Sequence, residues 1–182
     1  MDKIKVYYSN PIAYYKLALY LRDYINENSI IICIGTDKCI GDSLGPIVGS
    51  LLKNANFPLP VFGTISDPIH ALNLNEKINM IKKSYPHSLI IAIDACLGEE
   101  KSVGCLQFRK GAIHPGKGVG KKLPSVGDVS LLGIVDSFDS NGLINNRNIR
   151  LDLIVKMAIV IKDSIFHSYY LYMENRINFN NI

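Results

Sequence analysis

The sequence predicts an α/β fold, a three-layer sandwich around a mostly parallel central sheet, formed as a single domain over 1–182. Two uninterrupted apolar runs, 29–35 and 88–94, carry this prediction because strands buried on both faces bear apolar side chains at successive positions. Segments with helical spacing separate the strand-like runs. Such alternation is typical of a parallel sheet with helices on both faces.

The first helix is expected after Asn10-Pro11, since asparagine caps helices and proline fits the first helical position. Apolar residues at three- and four-residue spacing continue to Ile25, so this helix should end near Asn28. The tail, 174–182, is rich in asparagine and is expected to fray. Further helices are predicted at 44–53, 76–84 and 151–172, and further strands at 59–63, 103–109 and 129–135.

Composition argues against several classes of protein. The hydrophobic fraction of 48% and the charged fraction of 20% are typical of a globular protein. No apolar run reaches about 18 residues, so no membrane partner is expected. The start of the chain lacks the pattern of a signal peptide and its four cysteines form no C-x-x-C pair, which favours reduced thiols in the cytoplasm. The net charge of +4 is too mild to predict nucleic-acid binding.

Two carboxylates follow the two apolar strands. Asp94 ends the run 88–94, and Asp42 lies in the polar loop between 29–35 and the next helix. Ligands of open parallel sheets bind at the carboxyl ends of the strands, so both acids should face one crevice if the strands are neighbours. Two carboxylates in one site do not both ionise freely, and one then serves as an acid while the other activates water. A third ligand nearby would instead make a divalent-metal site.

Each acid also has a structural interpretation. Asp42 stands where a helix N-cap belongs, and Asp94 could anchor a loop. A cysteine nucleophile paired with a histidine is a further alternative, although no local signature selects a pair. Its candidate members are Cys39, Cys96, His70 and His114.

The loop 111–124 is rich in glycine and lysine. Its Gly-x-Gly-x-Gly string precedes Pro124 rather than a helix, so it is neither a P-loop nor a dinucleotide fingerprint. Such a loop can present backbone amides to a substrate oxyanion, or it can be only a flexible flap. On the first interpretation, Gly118, Val119 and Gly120 are assigned to substrate binding. The lysines of the loop could attract an acidic substrate or a phosphate.

Five long, ordered strings of the sequence lie at 35–46, 63–74, 93–98, 114–124 and 127–130. The first includes Gly41-Asp42-Ser43-Leu44-Gly45-Pro46, and the third includes Ile93-Asp94-Ala95-Cys96. These strings resemble the YyaC-type sporulation proteins, over nearly the whole chain. That family is similar to the spore germination protease and, more distantly, to the hydrogenase-maturation endopeptidases.

The resemblance implies a phosphorylase/hydrolase-like, maturation-protease-like fold and a peptidase of sporulation, acting on a protein or peptide in the cytoplasm of the mother cell or forespore. The catalytic acids of the germination protease fall on Asp42 and Asp94. His70, in the second string, is assigned to substrate binding. No cofactor is implied by this interpretation. The maturation endopeptidases suggest a divalent-metal alternative, with Asp42, Asp94 and His114 as ligands.

Three hypotheses about function therefore stay open. The chain is a metal-independent acidic peptidase, a metal-dependent endopeptidase, or a catalytically silent binding or regulatory protein of sporulation. Aromatic side chains on the first and last helices are candidates for core or subunit contacts, so a homo-oligomer is also open.

Overall fold

A computed structural model describes residues 3–115, 123–137 and 149–180, with side chains to residue 177 in the last range. One six-stranded sheet runs through the described part, in the order β1-β5-β6-β4-β2-β3. The strands are β1 (Lys3–Tyr7), β2 (Ser29–Cys33), β3 (Val61–Phe62), β4 (Leu89–Gly98), β5 (Cys105–Lys110) and β6 (Val129–Ser137). The helices are α1 (Ala13–Leu21), α2 (Leu44–Asn54), α3 (Leu74–Ser84) and α4 (Leu151–Asn180).

The sheet is mostly parallel, as predicted. β6, β4, β2 and β3 run in one direction, while β5 is antiparallel to both of its neighbours, β6 and β1. Alternate residues of the buried strands point to opposite faces. Ile31 and Ile91 join the core under α1, α2 and α4, whereas Ile30 and Ile90 pack with α3 on the other face. The fold is therefore the predicted three-layer α/β sandwich.

Close packing of α2 on β2 depends on one glycine. A Cβ added at Gly45 would lie 2.1 Å from the carbonyl oxygen of Ile34. That separation is far below any van der Waals contact, so only a residue without a side chain lets the first turn of α2 approach the end of β2. The approach places the loop between them against the carboxyl edge of the sheet.

The first helix is shorter than predicted. It begins at Ala13, after the side chain of Asn10 has accepted a hydrogen bond from the backbone N–H of Ile12 (3.0 Å), and it ends at Leu21 rather than near Asn28. Polar side chains after α1 and at the start of β2 bond the local backbone. Oδ1 of Asn26 accepts from the N–H of Asn28 at 2.8 Å, and Oγ of Ser29 accepts from the N–H of Asn26 at 2.9 Å. Such local bonds compete with helical ones, which explains the early end despite continuing apolar spacing.

The last helix is longer than the predicted 151–172. α4 continues to Asn180, into the segment that is expected to fray. Arg176 forms an ion pair with Glu27 (2.9 Å), and the hydroxyl of Tyr172 donates a hydrogen bond to the same carboxylate. These contacts attach the last turns of α4 to the loop after α1. No helix among the described residues is long and apolar enough to cross a membrane.

Two strand predictions also need correction. The opening residues form β1, an edge strand paired with β5, which no strand prediction had covered. β4 does not end at Asp94 but continues to Gly98, because β6 pairs with it as far as Ser137 across an irregularity at Cys96/Leu97. Asp94 is therefore a residue within the strand rather than its last residue.

Candidate active site

The two apolar strands that precede the acids are neighbours, as the site prediction requires. β2 and β4 pair in parallel, with Cys33 opposite Ile93. The N–H of Ile34 extends the pairing by donating to the carbonyl of Ile93 at 2.8 Å. Asp94 follows directly, so its carboxyl group lies beside the loop that leaves β2.

Gly35 joins three segments at this point. Its N–H donates to the carbonyl of Ile69 (2.8 Å), and the next amide, of Thr36, donates to the carbonyl of Asp42 (3.0 Å). Gly35 has φ +137°, and a Cβ there would lie 2.0 Å from the backbone oxygen of Asp42. The residue therefore holds the chain at Asp42 and the chain before His70 on either side of the end of β2.

Asp42 does not cap α2. It closes a single 3₁₀ turn, Ile40–Asp42, and the residue at the N-cap position is Ser43. The hydroxyl of Ser43 donates back to the carbonyl of Ile40 at 2.7 Å, and no side chain makes a capping bond to this helix. The structural interpretation of Asp42 as an N-cap is wrong, which leaves its half-buried carboxyl group available for chemistry.

The acids lie within electrostatic reach of each other. Burial raises the pKa of Asp94 well above its ordinary value, the charge of Asp42 raises it further, and only the N–H of Ala95 opposes the shift by donating to Oδ1 at 2.9 Å. Burial also raises the pKa of Asp42, but the backbone N–H of Thr36 and the charge of His70 act against it. Asp94 is thus suited to stay protonated while Asp42 carries the charge.

His70 faces Asp42, where its positive form favours the carboxylate. Its ring is held locally, since Nδ1 accepts a hydrogen bond from the N–H of Leu72 at 3.2 Å. The neutral ring therefore carries its proton on Nε2. Of the four residues assigned to substrate binding, His70 is at the acid pair, whereas Gly118, Val119 and Gly120 lie outside the described residues.

The conditional metal site is not assembled. Within residues 3–115, 123–137 and 149–180, no three His, Cys, Asp or Glu side chains form a group that could hold a metal ion. His114 follows β5, whose last residue, Lys110, pairs with Val129 at the start of β6. That position is the amino edge of β6, opposite to the acids, and the side chain is exposed. The structure therefore does not bring Asp42, Asp94 and His114 together as a ligand set.

The cysteine alternative loses its chemical basis at Cys96. Cys96 lies near Asp94, and burial together with that carboxylate raises the pKa of its thiol to about 11, against the weaker pull of Arg109 and Lys5. Cysteine nucleophiles need the opposite shift, because the thiolate is the reactive form. Cys96 is consequently a neutral neighbour of the acid pair.

We expect iodoacetamide at pH 8 to label the exposed Cys39 and to leave Cys96 largely unmodified, because only about one thousandth of a thiol with such a pKa is ionised there. Peptide mapping by mass spectrometry measures both sites. Cys96→Ser should retain full activity. Fast labelling of Cys96 with parallel loss of activity would contradict the assignment.

A third acid at this edge was overlooked. Asp136 is buried in β6, where its Oδ1 accepts from the N–H of Ser137 at 2.8 Å and its Oδ2 has no hydrogen-bond partner among the described residues. The signal was present, because Asp136 follows the apolar run 129–135 much as Asp94 follows its own run. The strand prediction stopped one residue too early to include it.

The protein is thus a mostly parallel α/β sandwich with a half-buried carboxylate pair at the carboxyl edge of its sheet. A family model described as "Protein of unknown function (DUF1256)" matches residues 5–164, and the chain belongs to this family. It is 44% identical over 146 residues to the "Uncharacterized protein YyaC" of Bacillus subtilis (strain 168), a match that covers 80% of this chain and 71% of that protein. The resemblance to YyaC-type proteins is thereby confirmed.

Proposed function

We propose that the protein is a peptidase that hydrolyses peptide bonds with Asp42 and Asp94 as a general base and a general acid. The observation that carries this proposal is the asymmetry of the pair. Both carboxyl groups are partly buried at one edge, yet among the described residues only Asp42 has a neighbour, His70, whose positive form favours the carboxylate. Acid–base catalysis requires one protonated and one ionised carboxyl group, whereas a purely structural pair of acids does not.

In the proposed reaction, the Asp42 carboxylate takes a proton from water while the water oxygen bonds to the peptide carbonyl carbon. Asp94 gives its proton to the carbonyl oxygen, so the tetrahedral intermediate is a neutral diol. Asp42 then gives its proton to the amide nitrogen as the C–N bond breaks. Asp94 recovers a proton from a hydroxyl group as the carbonyl re-forms, and both acids return to their starting states.

The biological setting belongs to the same proposal. The kinship with YyaC-type proteins supports a role in sporulation, in the cytoplasm of the mother cell or the forespore, with a protein or peptide as the substrate. The catalytically silent alternative is kept as an outcome of the experiments below: binding of a peptide without cleavage would favour it.

The rate of cleavage should follow a bell-shaped pH profile displaced toward neutral pH. Activity requires ionised Asp42 and protonated Asp94, so the rate rises as Asp42 loses its proton and falls as Asp94 loses its own. Both pKa values are raised by burial, so both limbs should lie above the range of ordinary carboxyl groups, about pH 4. Cleavage of a synthetic peptide mixture, followed by mass spectrometry from pH 3 to 9, measures the profile.

His70→Gln provides the internal comparison. Loss of the cationic ring removes an interaction that lowers the pKa of Asp42, so the acidic limb should move to higher pH while the alkaline limb stays in place. His87→Gln, an exposed histidine beyond α3, is the matched control and should leave both limbs unchanged. A profile that is flat over this range, or equal in both variants, would count against the assigned roles.

A further inference from the structure

Beside the acid pair, cross-strand pairing aligns a row of side chains on one face of the sheet. Lys5 in β1 pairs with Gln107 in β5, Gln107 with Leu132 in β6, and Leu132 with Asp94 in β4. Residues paired directly across strands point to the same face. Neighbouring strands are about 4.8 Å apart, so Gln107 lies about 10 Å from Asp94, two strands away.

Buried hydrogen-bonding groups on this face lack partners. Gln107 and Ser130 are each only 1% exposed, and neither Nε2 of Gln107 nor Oγ of Ser130 has a hydrogen-bond partner among the described residues. Arg109 donates from Nε to Oε1 of Gln107 at 2.9 Å, which identifies the free end of the amide as the donor. A buried donor without an acceptor is costly, so a ligand that accepts a hydrogen bond is the expected complement.

The exposed side chains around these groups are cationic. Lys3 is directly opposite Arg109, and Lys5 is next to them on the same face. Like charges directly opposite each other are unfavourable. No ion pair neutralises these three residues within the described part of the chain. Glu99, the acid that reaches Lys5 electrostatically, is itself paired with Lys101 at 3.0 Å. We call Lys3, Lys5, Gln107, Arg109 and Ser130 the basic strip.

We propose that the basic strip binds a carboxylate of the peptide substrate, an acidic side chain about three residues from the cleaved bond. This inference rests on the proposed peptidase function. The guanidinium of Arg109 offers the planar pair of donors that a carboxylate takes, and its hydrogen bond to Oε1 of Gln107 holds it beside the unpartnered amide nitrogen. The 10 Å between Gln107 and Asp94 equals about three residues of extended chain.

Direct binding tests the proposal without requiring cleavage. The probe is a fluorescein-labelled peptide with three consecutive glutamates, compared by anisotropy with the same peptide carrying three glutamines. The full chain should bind the glutamate peptide at least about tenfold more tightly at low salt. Arg109→Gln should reduce that preference to about twofold or less, and Gln107→Leu should reduce it in part. Lys83→Gln, which removes an exposed cation on α3, is the charge-matched control and should keep the preference.

Each outcome is informative. Equal binding of the two peptides, or equal losses in Arg109→Gln and Lys83→Gln, would overturn the basic strip as a specific site. A single-stranded oligonucleotide that displaces the glutamate peptide at equal concentration would also overturn it, in favour of a nucleic-acid surface. Preferential binding without cleavage would support the strip and oppose the peptidase. Cleavage with no preference for acidic peptides would support the peptidase and oppose the basic strip.

Discussion

Replacing Asp94 with asparagine is expected to abolish peptide cleavage while making the folded protein more stable at neutral pH. The activity loss follows from removing the proton donor, an effect of about 10²–10⁴-fold in rate. The gain in stability follows from burial, because the carboxyl group of Asp94 is held where its charged form is disfavoured and the charge of Asp42 adds to the penalty. Asparagine keeps an oxygen that can accept the hydrogen bond from the N–H of Ala95.

The pH dependence of this stabilisation has a definite sign. The pKa of Asp94 is raised in the folded state above its ordinary value of 3.8. Its contribution to stability is therefore fully present below pH 3.8 and is lost as the pH rises through the folded-state pKa. The advantage of Asp94→Asn should be absent in acid and appear toward neutral pH. Each kcal/mol gained would raise the melting temperature by about 2–4 °C in a chain of this size.

Asp37→Asn is the matched control for this variant. Asp37 is exposed in the loop that carries Asp42, so its replacement should alter neither cleavage nor the melting temperature appreciably. Thermal melts at pH 4 and pH 8, together with the cleavage assay, separate the possibilities. If Asp94→Asn retained activity, or melted at a lower temperature at pH 8, Asp94 would be a structural residue and not the general acid.

Gly35→Ala is expected to displace Asp42 and so to reduce cleavage. The added methyl group would meet the backbone oxygen of Asp42 at 2.0 Å, so the loop carrying the general base has to move. Overpacking of this kind costs about 1–3 kcal/mol, and the positive φ of +137° adds strain for any residue with a side chain. We expect a lower melting temperature and a large loss of cleavage.

Gly111→Ala separates strain from crowding. Gly111 also has a positive φ, +111°, but no atom lies within 4 Å of the position that a Cβ would take. Its replacement should cost only backbone strain and leave cleavage intact. If both variants lost the same stability and neither lost activity, Gly35 would not be positioning Asp42.

The sequence was sufficient to predict the central strands and the acid pair because burial on both faces leaves a continuous apolar pattern. β2, α2 and α3 lie close to their predicted positions. The edge strand β1 was missed because its alternating, lysine-containing sequence acquires strand structure only by pairing with β5. The length of β4 beyond Asp94 likewise depends on its partner, β6, which lies more than thirty residues later in the chain.

The burial and charged neighbours of each site residue could not be predicted from the nearby sequence, because they also depend on distant segments. Nothing around Gln107 in the sequence indicates that it is buried, since its burial requires the strands on both sides. The division of roles between Asp42 and Asp94 depends on His70, which the pairing of Ile34 with Ile69 brings to the end of β2. The local sequence pattern predicts which strands form. The charge state of an acid depends on contacts with segments that are distant in the sequence.

Neither edge strand of the sheet is suited to pair with another extended chain. β3 pairs through two residues only, and β1 carries lysines at positions 3 and 5. Short strands and lysines are the features by which natural sheets avoid adding a foreign strand. A peptide held by this protein would therefore be selected by its side chains and not by backbone hydrogen bonding along an edge. Cleavage should accordingly be confined to a few sequences rather than spread over any unfolded polypeptide.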